Sequence, residues 1–306
     1  MKPHISILII LMLTTSLAFS QYRFSDYQNS TVLMPSFAGY DGTKFTTKYR
    51  DQYPNVPGTY TTIQASAEHQ LANFNSGVGI QFLRYNESNL SKNSFEIMYS
   101  YDFKINEKLH IRPGAQFSFN YMSIDWQNLT WRDQLNGGGT TTTIQPTGNE
   151  KVIYPDAGAS VLGYGNNYWF GMGASNLLMP KESLYRENSK QPIQFIANGG
   201  YIIHPKGNLE EAITLHGLYK KFGQFDQIDL GATWNNKFII GGLTFSGMSI
   251  GTAGDSFFNS NAVTTLIGFK YSGISLKYSY DFVISQLVGV TGGAHEITLS
   301  YSLKKQ

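Results

Sequence analysis

Along much of this chain apolar and polar residues alternate one for one. At its C-terminal end Ile297, Leu299, Tyr301 and Leu303 interleave with Glu296, Thr298, Ser300 and Ser302. Ile274, Leu276, Tyr278, Tyr280 and Phe282 alternate in the same way with Ser275, Lys277, Ser279 and Asp281. A third stretch sets Phe95, Ile97, Tyr99, Tyr101 and Phe103 against Glu96, Ser100, Asp102 and Lys104. Side chains of a strand project to opposite faces with period two, so each stretch predicts a ribbon with one apolar and one polar surface. Such ribbons assemble either into a sandwich with a dry core or into a barrel that is apolar outside and polar inside.

About fourteen alternating stretches bounded by turn residues run from 43–50 to 294–304. Most approach the ~9–11 residues that a tilted strand needs to cross a bilayer. Bacterial single-chain barrels have even strand numbers. Connection lengths also sort by parity. After the second, fourth, sixth, tenth and twelfth stretches the links are short, at 71–76, 105–107, 164–166, 236–237 and 272. After odd-numbered stretches most are longer, notably 123–155, 177–191 and 248–261. The link at 204–210 is longer than this rule gives and that at 222–225 shorter. Outer-membrane barrels have short periplasmic turns and long outer loops, whereas a sandwich has no reason to sort loops by parity. The expectation is an all-β transmembrane antiparallel β-barrel of about 14 strands over 43–306, with a long extracellular loop at about 123–155.

Before these ribbons, residues 1–20 read as a secretory signal peptide. Lys2 precedes an apolar run from Ile5 to Leu13, and Ala18-Phe19-Ser20 gives a small-x-small cleavage pattern. Cysteine is absent, which removes disulfides and thiolate metal sites. Only 14% of residues are charged, against about a quarter in an ordinary soluble domain. Tyr and Phe number 20 each, as lipid-facing aromatic girdles would require. Mean hydropathy of -0.24 is consistent with a barrel, because half of each strand faces water. With a net charge of +2 and no basic tract interleaved with aromatics, nucleic acid is not an expected partner.

Charges follow the pattern. Lys44, Lys48, Arg50, Glu96, Asp102, Arg112, Lys277, Asp281 and Glu296 all fall on polar faces, which predicts a paired charge network lining the lumen. Residues 21–42 precede the first strand, contain Phe24, Tyr27, Leu33, Met34 and Phe37, and carry Pro35, which excludes a central strand. They are expected to form a periplasmic plug segment. Within the long loop, Trp126, Leu129, Trp131, Arg132, Asp133 and Leu135 form a candidate set for partner binding, for a constriction folded inward, or for simple packing against the barrel rim.

The chemistry of known enzyme motifs is missing. The histidines after the signal have no HExxH or paired-ligand spacing, and no G-x-S-x-G elbow or phosphate-binding glycine fingerprint occurs. His295 and Asp281 can be drawn together as an acid–base pair only by assuming a geometry that the sequence does not give. A non-enzymatic protein without metal or cofactor is expected.

Several segments, in order along the chain, resemble one family. Met34-Pro35-Ser36-Phe37-Ala38-Gly39 is similar to an "NPAYAG" element near the mature start of the PorP/SprF family of type IX secretion membrane proteins. Tyr49-Arg50-Asp51-Gln52-Tyr53 resembles its "YRNQW", and Leu129 to Leu135 (LTWRDQL) its "LTFxDQ". Pro155 to Ala159 and Asn176 to Pro180 are similar to its central strand pair. Ser279 to Phe282 with Gly292 to Tyr301 resembles its closing "YSYDF…GSHEISLSY". Met34, Tyr53 and Ala294 depart from the family's Asn, Trp and Ser. The resemblance implies an outer-membrane barrel of secreting or gliding Gram-negative bacteria. It also implies a cognate secreted adhesin-like protein as partner, with translocon subunits as further candidates. Composition and alternation alone leave open a passive channel or a transporter of hydrophobic substrates.

Overall fold

A computed structural model describes residues 33–58, 60–126, 129, 148–184, 190–205, 208, 210–248, 262–284 and 291–303. Among these residues are fifteen strands. They are β1 (Thr43–Gln52), β2 (Tyr60–Leu71), β3 (Ser76–Glu87), β4 (Leu90–Tyr101), β5 (Phe103–Asn106), β6 (Leu109–Ile124), β7 (Lys151–Tyr164) and β8 (Tyr168–Ser175). They continue as β9 (Gln194–Ile203), β10 (Ala212–Phe222), β11 (Phe225–Asn235), β12 (Ile239–Met248), β13 (Ala262–Tyr271), β14 (Ile274–Val283) and β15 (Ala294–Leu303). All pairings are antiparallel and, apart from β4 with β6, join neighbours in sequence, and the sheet closes where β1 pairs with β15 from Thr43↔Leu303 to Gln52↔Ala294.

Fifteen strands make fourteen staves. β4 and β5 both pair with β6 in one register, Ser100↔Gly114 above and Phe103↔Ile111 below. That register puts Pro113 opposite Tyr101 at the break. Proline has no N–H to give the ladder, so the stave is interrupted there and Asp102 turns its backbone N–H to Asn75 O at 2.7 Å. The structure is thus the closed 14-strand antiparallel barrel expected from the sequence.

Burial decides between barrel and sandwich. On β15 the polar residues Glu296, Thr298 and Ser300 are 2%, 1% and 3% exposed, while Ile297, Leu299 and Tyr301 are 49%, 45% and 44% exposed. β1 repeats this, with Lys48 and Arg50 buried and Phe45 and Tyr49 outside. In a fold stabilised in water the two sets would be exchanged. An apolar belt facing out and polar groups facing in is the arrangement required in hydrocarbon, where only helices and closed barrels satisfy every backbone group.

Loop placement follows the strand directions. One end carries the tight turns 72–75, 107–108, 165–167, 236–238 and 272–273 and one longer connection, 204–211; the other carries the longer connections 53–59, 125–150, 176–193, 249–261 and 284–293, with tight turns at 88–89 and 223–224. The connection after β6 is shorter than the 123–155 read from the sequence, because β7 already begins at Lys151 and includes Pro155. Ile124 N–H donates to Glu150 O, so even-numbered residues of β7 turn their backbone groups to β6 and odd-numbered ones away. On that other side β8 reaches only to Ala174, opposite Ala159. Pro155 therefore costs no ladder bond.

Leu299 lies opposite Thr47 and Leu276, midway along β15 and β1. Leu299→Arg is expected to destabilise the barrel by roughly 2–4 kcal/mol, read as a lower guanidinium midpoint in lipid vesicles. Thr298→Arg, pointing inward, should not cause the same lipid-face loss.

Candidate functional site

Residues 33–40 lie inside the barrel, against one side of its wall. Pro35–Phe37 form a 3-10 turn, with Phe37 N–H donating to Met34 O (3.2 Å), Ala38 N–H to Pro35 O (3.0 Å) and Tyr40 N–H to Phe37 O (2.9 Å). Pro35 suits this start because its missing N–H would be unsatisfied there in any case. Leu33, Met34 and Phe37 pack with Leu162 and Leu218 into a small apolar core, bordered by Tyr40, Tyr164, Trp169 and Ile196. The barrel wall is thinned where this turn meets it. A Cβ at Gly77 would lie 1.9 Å from Ala38 O, and one at Gly114 would lie 2.3 Å from Ser36 N.

Polar groups from four strands hold the turn. Arg112 of β6 donates from Nη2 to Ala38 O at 2.6 Å and from Nε to Ser100 Oγ at 3.0 Å. The Ser100 hydroxyl donates to the same carbonyl at 2.8 Å. Ser160 Oγ of β7 accepts Ser36 N–H at 2.9 Å, and Glu68 Oε2 of β2 accepts Gly39 N–H at 3.1 Å. Behind Arg112, Asp102 lies 3.8 Å from Nη1, accepts the Tyr164 hydroxyl at 2.5 Å and meets His110 Nδ1 at 3.0 Å. Ser100, His110 and Asp102 are thus close together, but the Ser100 hydroxyl is committed to Ala38 O and His110 stacks on Tyr164. This arrangement positions a turn and leaves no nucleophile–base contact.

On the opposite wall Arg50 is the hub. Its Nη2 meets Asp281 Oδ2 at 2.5 Å and its Nη1 meets Glu296 Oε2 at 3.5 Å. Lys48 Nζ lies 3.9 Å from the same Glu296 oxygen, and Thr264 donates to Asp281 Oδ1 at 2.5 Å. The nine charges read as one lumen set therefore occupy separate groups. Lys48, Arg50, Asp281 and Glu296 form one; Asp102 and Arg112 form another. Glu96 belongs to a third, accepting Ser94 Oγ at 3.0 Å and Gln81 Nε2 at 3.3 Å, with Gln81 in turn accepting from Gln64. Lys44 and Lys277 lie on the β1 and β14 rows below Arg50. His295 and Asp281 are on opposite faces: His295 meets Tyr278 outside while Asp281 is inside with Arg50. Sequence reasoning missed Ser100, His110, Tyr164, Gln64 and Gln81, whose roles come from cross-strand register and not from any local motif.

Towards the long-loop end a cavity of ≈ 250 Å³ has Leu33, Met34 and Pro35 at its floor and Lys92, Tyr154 and Glu182 along its sides. Lys92 Nζ pairs with Glu182 at 2.6 Å, tying β4 to the loop after β8. Of the candidate loop residues, Trp126 is buried against Met122 and Leu184, and its Nε1–H donates to Asn149 O at 3.1 Å. Leu129 packs on the same cluster. Trp131, Arg132, Asp133 and Leu135 lie outside the described residues. Among the described residues no group of three or more His, Cys, Asp or Glu side chains is arranged to hold a metal ion.

A closed antiparallel barrel with an outward apolar belt and a polar interior is an outer-membrane-type integral membrane protein. The family model described as type IX secretion system membrane protein PorP/SprF matches residues 15–301, and the chain belongs to that family. No curated protein matches the chain. Among solved structures it is similar to the toluene transporter TodX of P. putida, at TM-score 0.51 and 10% identity over 89% of this chain and 93% of that one. The TodX deltaS2S3 mutant, described as a monoaromatic hydrocarbon channel, gives 0.54 and 10% over 89% and 92%. The Ralstonia pickettii toluene transporter TbuX gives 0.51 and 10% over 89% and 92%. At such identity these likenesses concern the fold alone.

Removing one partner of a buried ion pair leaves the other uncompensated and typically costs about 3–5 kcal/mol. Arg50→Met is expected to lower barrel stability by that order, measured by guanidinium unfolding in vesicles. Combining it with Asp281→Asn should recover part of the loss.

Proposed function

We propose that this protein is a non-enzymatic barrel that helps export, or holds at the cell surface, a cognate secreted adhesin-like protein, working beside type IX translocon subunits. On this reading the short-turn end faces the periplasm and the long-loop end faces outward. The observation that carries it is the turn of residues 33–40, held inside the lumen and fastened by Arg112 and Ser100. An open pore needs a free axis, whereas a partner barrel needs only a rigid rim on which to present loops. Membership in a type IX secretion family supplies the class of partner. The apolar anchors Trp126 and Leu129 rigidify the base of the loop that would meet it.

A second reading, transport of small hydrophobic substrates, is favoured by the cavity at the long-loop end and by its mixed lining of Leu83, Leu90, Met122 and polar residues. It requires the Pro35 turn to move, which the latch opposes.

Two measurements separate these readings. Deleting residues 21–42, behind an intact signal, should open the barrel and raise single-channel conductance well above that of the full chain. Unchanged conductance would refute the plug. Deleting the gene should strip one large exported protein from the surface proteome, while uptake of small hydrophobic compounds stays at the parental rate. The reverse outcome selects the transporter.

A further inference from the structure

Charges on the outer face of the barrel are sorted, a feature that the export reading does not use. Among the described strand residues three cations point outward, Arg84 on β3, Lys151 on β7 and Lys221 on β10, and all three lie at the long-loop end. Lys221 faces Asp226 across the β10–β11 register. Arg84 and Lys151 share a sector that offers no such partner. The strand carboxylates from β2 to β7, Glu68, Glu87, Glu96 and Asp156, all fall on the inward face.

Register arranges this sector in rows. Phe82, Phe95, Phe119 and Pro155 follow each other across β3, β4, β6 and β7. The next row toward the loops is Arg84, Asn93, Tyr121 and Ile153, and the one beyond it is Asn86, Ser91, Ser123 and Lys151. Within two rows, about 7 Å along a strand, the surface passes from phenylalanine to amide, hydroxyl and cation. Such a change marks the level where acyl chains give way to headgroups, and there a lipid-facing cation loses most of its cost.

Both cations are exposed. Arg84 is nevertheless fixed: its Nε donates to Asn86 Oδ1 at 3.2 Å, and Ser91 Oγ donates to the same oxygen at 2.9 Å. Asn86 is neutral, so this bond orients the guanidinium and leaves its charge unmatched. None of the ion pairs among the described residues includes Arg84 or Lys151. Asp125 and Glu150, in the connection beyond the upper row, pair with neither. Three strand spacings separate β3 from β7, so the two cations stand at the ends of a polar strip roughly 14 Å wide. Asn93, Ser91 and Ser123 lie between them.

We propose that this strip binds the headgroup of a phosphorylated glycolipid in the outer leaflet. Arg84 and Lys151 take its acidic groups through charge-assisted hydrogen bonds, and the amide and hydroxyls between them take its sugar. A glycerophospholipid has a phosphate for one end of the strip but no sugar ring for the middle. The site rests on the orientation in the export reading, with the long-loop end outward, and needs no cargo.

The test uses the full-length protein purified in detergent and stripped of bound lipid, with native mass spectrometry following adducts as lipid is added. The probes are lipid A (a phosphorylated diglucosamine lipid), the same lipid after enzymatic removal of its phosphates, and phosphatidylglycerol. Lipid A should bind about tenfold or more tightly than either of the others, as charge-assisted bonds at this strip imply. Replacing both Arg84→Gln and Lys151→Gln should lower lipid A affinity by about tenfold or more. Lys221→Gln, outside the strip, should keep the parental affinity. Barrel integrity is checked for each variant by the heat-dependent shift in gel mobility. Equal lipid A binding by the folded double variant, an equal loss in Lys221→Gln, or phosphatidylglycerol binding as tightly as lipid A overturns the site. No exported protein takes part in this titration, so its failure leaves the export role standing, and an unchanged surface proteome in the deletion strain leaves the lipid site standing.

Discussion

In hydrocarbon no water is available to a backbone N–H or C=O, and each unsatisfied group costs several kcal/mol. The ladder must therefore close on itself, as it does between β1 and β15. The two prolines inside strands obey the same constraint. Pro113 sits where the stave formed by β4 and β5 is broken, and Pro155 sits above the end of β8, on the side of β7 that has no strand to pair with. In both places the residue that would lose a ladder bond is the one with no N–H to contribute.

Closure then determines the interior. Alternation sends every second side chain inward, and because the outer face must be apolar, the inner face receives the ionised groups. Those groups need partners, and the space between the walls needs filling. The Pro35 turn contributes to both. Leu33, Met34 and Phe37 bury apolar surface against Leu162 and Leu218, each contributing roughly 1.5–3 kcal/mol. Ala38 O meanwhile gives Arg112 and Ser100 an acceptor. The backbone of the turn approaches the wall at Gly77 and Gly114, where any larger residue would push it out. Sequence, packing and polar pairing agree at this contact, which is why the turn is part of the fold and not a tethered lid.

What was legible beforehand followed from period two. The staves, their inward and outward faces and the sorting of loops by parity all come from local alternation, and the family elements lie on the same segments. Less was legible wherever the answer depends on contacts across the lumen. Nothing near Gly114 in the sequence announces that Ser36 will lie against it. Ser100 looks like any other inward serine until register places it between Arg112 and Ala38. Pro155 ends the loop in the sequence reading but lies inside β7, where the short reach of β8 leaves it no ladder bond to lose. The charges were read as one paired set because sequence gives their face but not their heights. Height separates Arg112 and Asp102 under the turn from Arg50 and its two carboxylates on the other wall.

That separation gives the lumen two unlike sides. From β2 round to β10 the interior carries the N-terminal turn and its apolar core; Arg112 and Glu68 bond to that turn, while Glu96 and Lys92 pair with other residues. From β11 round to β1 it is lined largely by threonines and serines, with Ile240, Leu266 and Asp229 also buried there and Arg50 beside Asp281 and Glu296. A barrel meant to be rigid gains on one side from the packed turn. On the other it keeps a polar wall near the short-turn end. The fixed rim and the polar wall are then consequences of the same division, in which one half of the lumen serves as core and the other remains a surface.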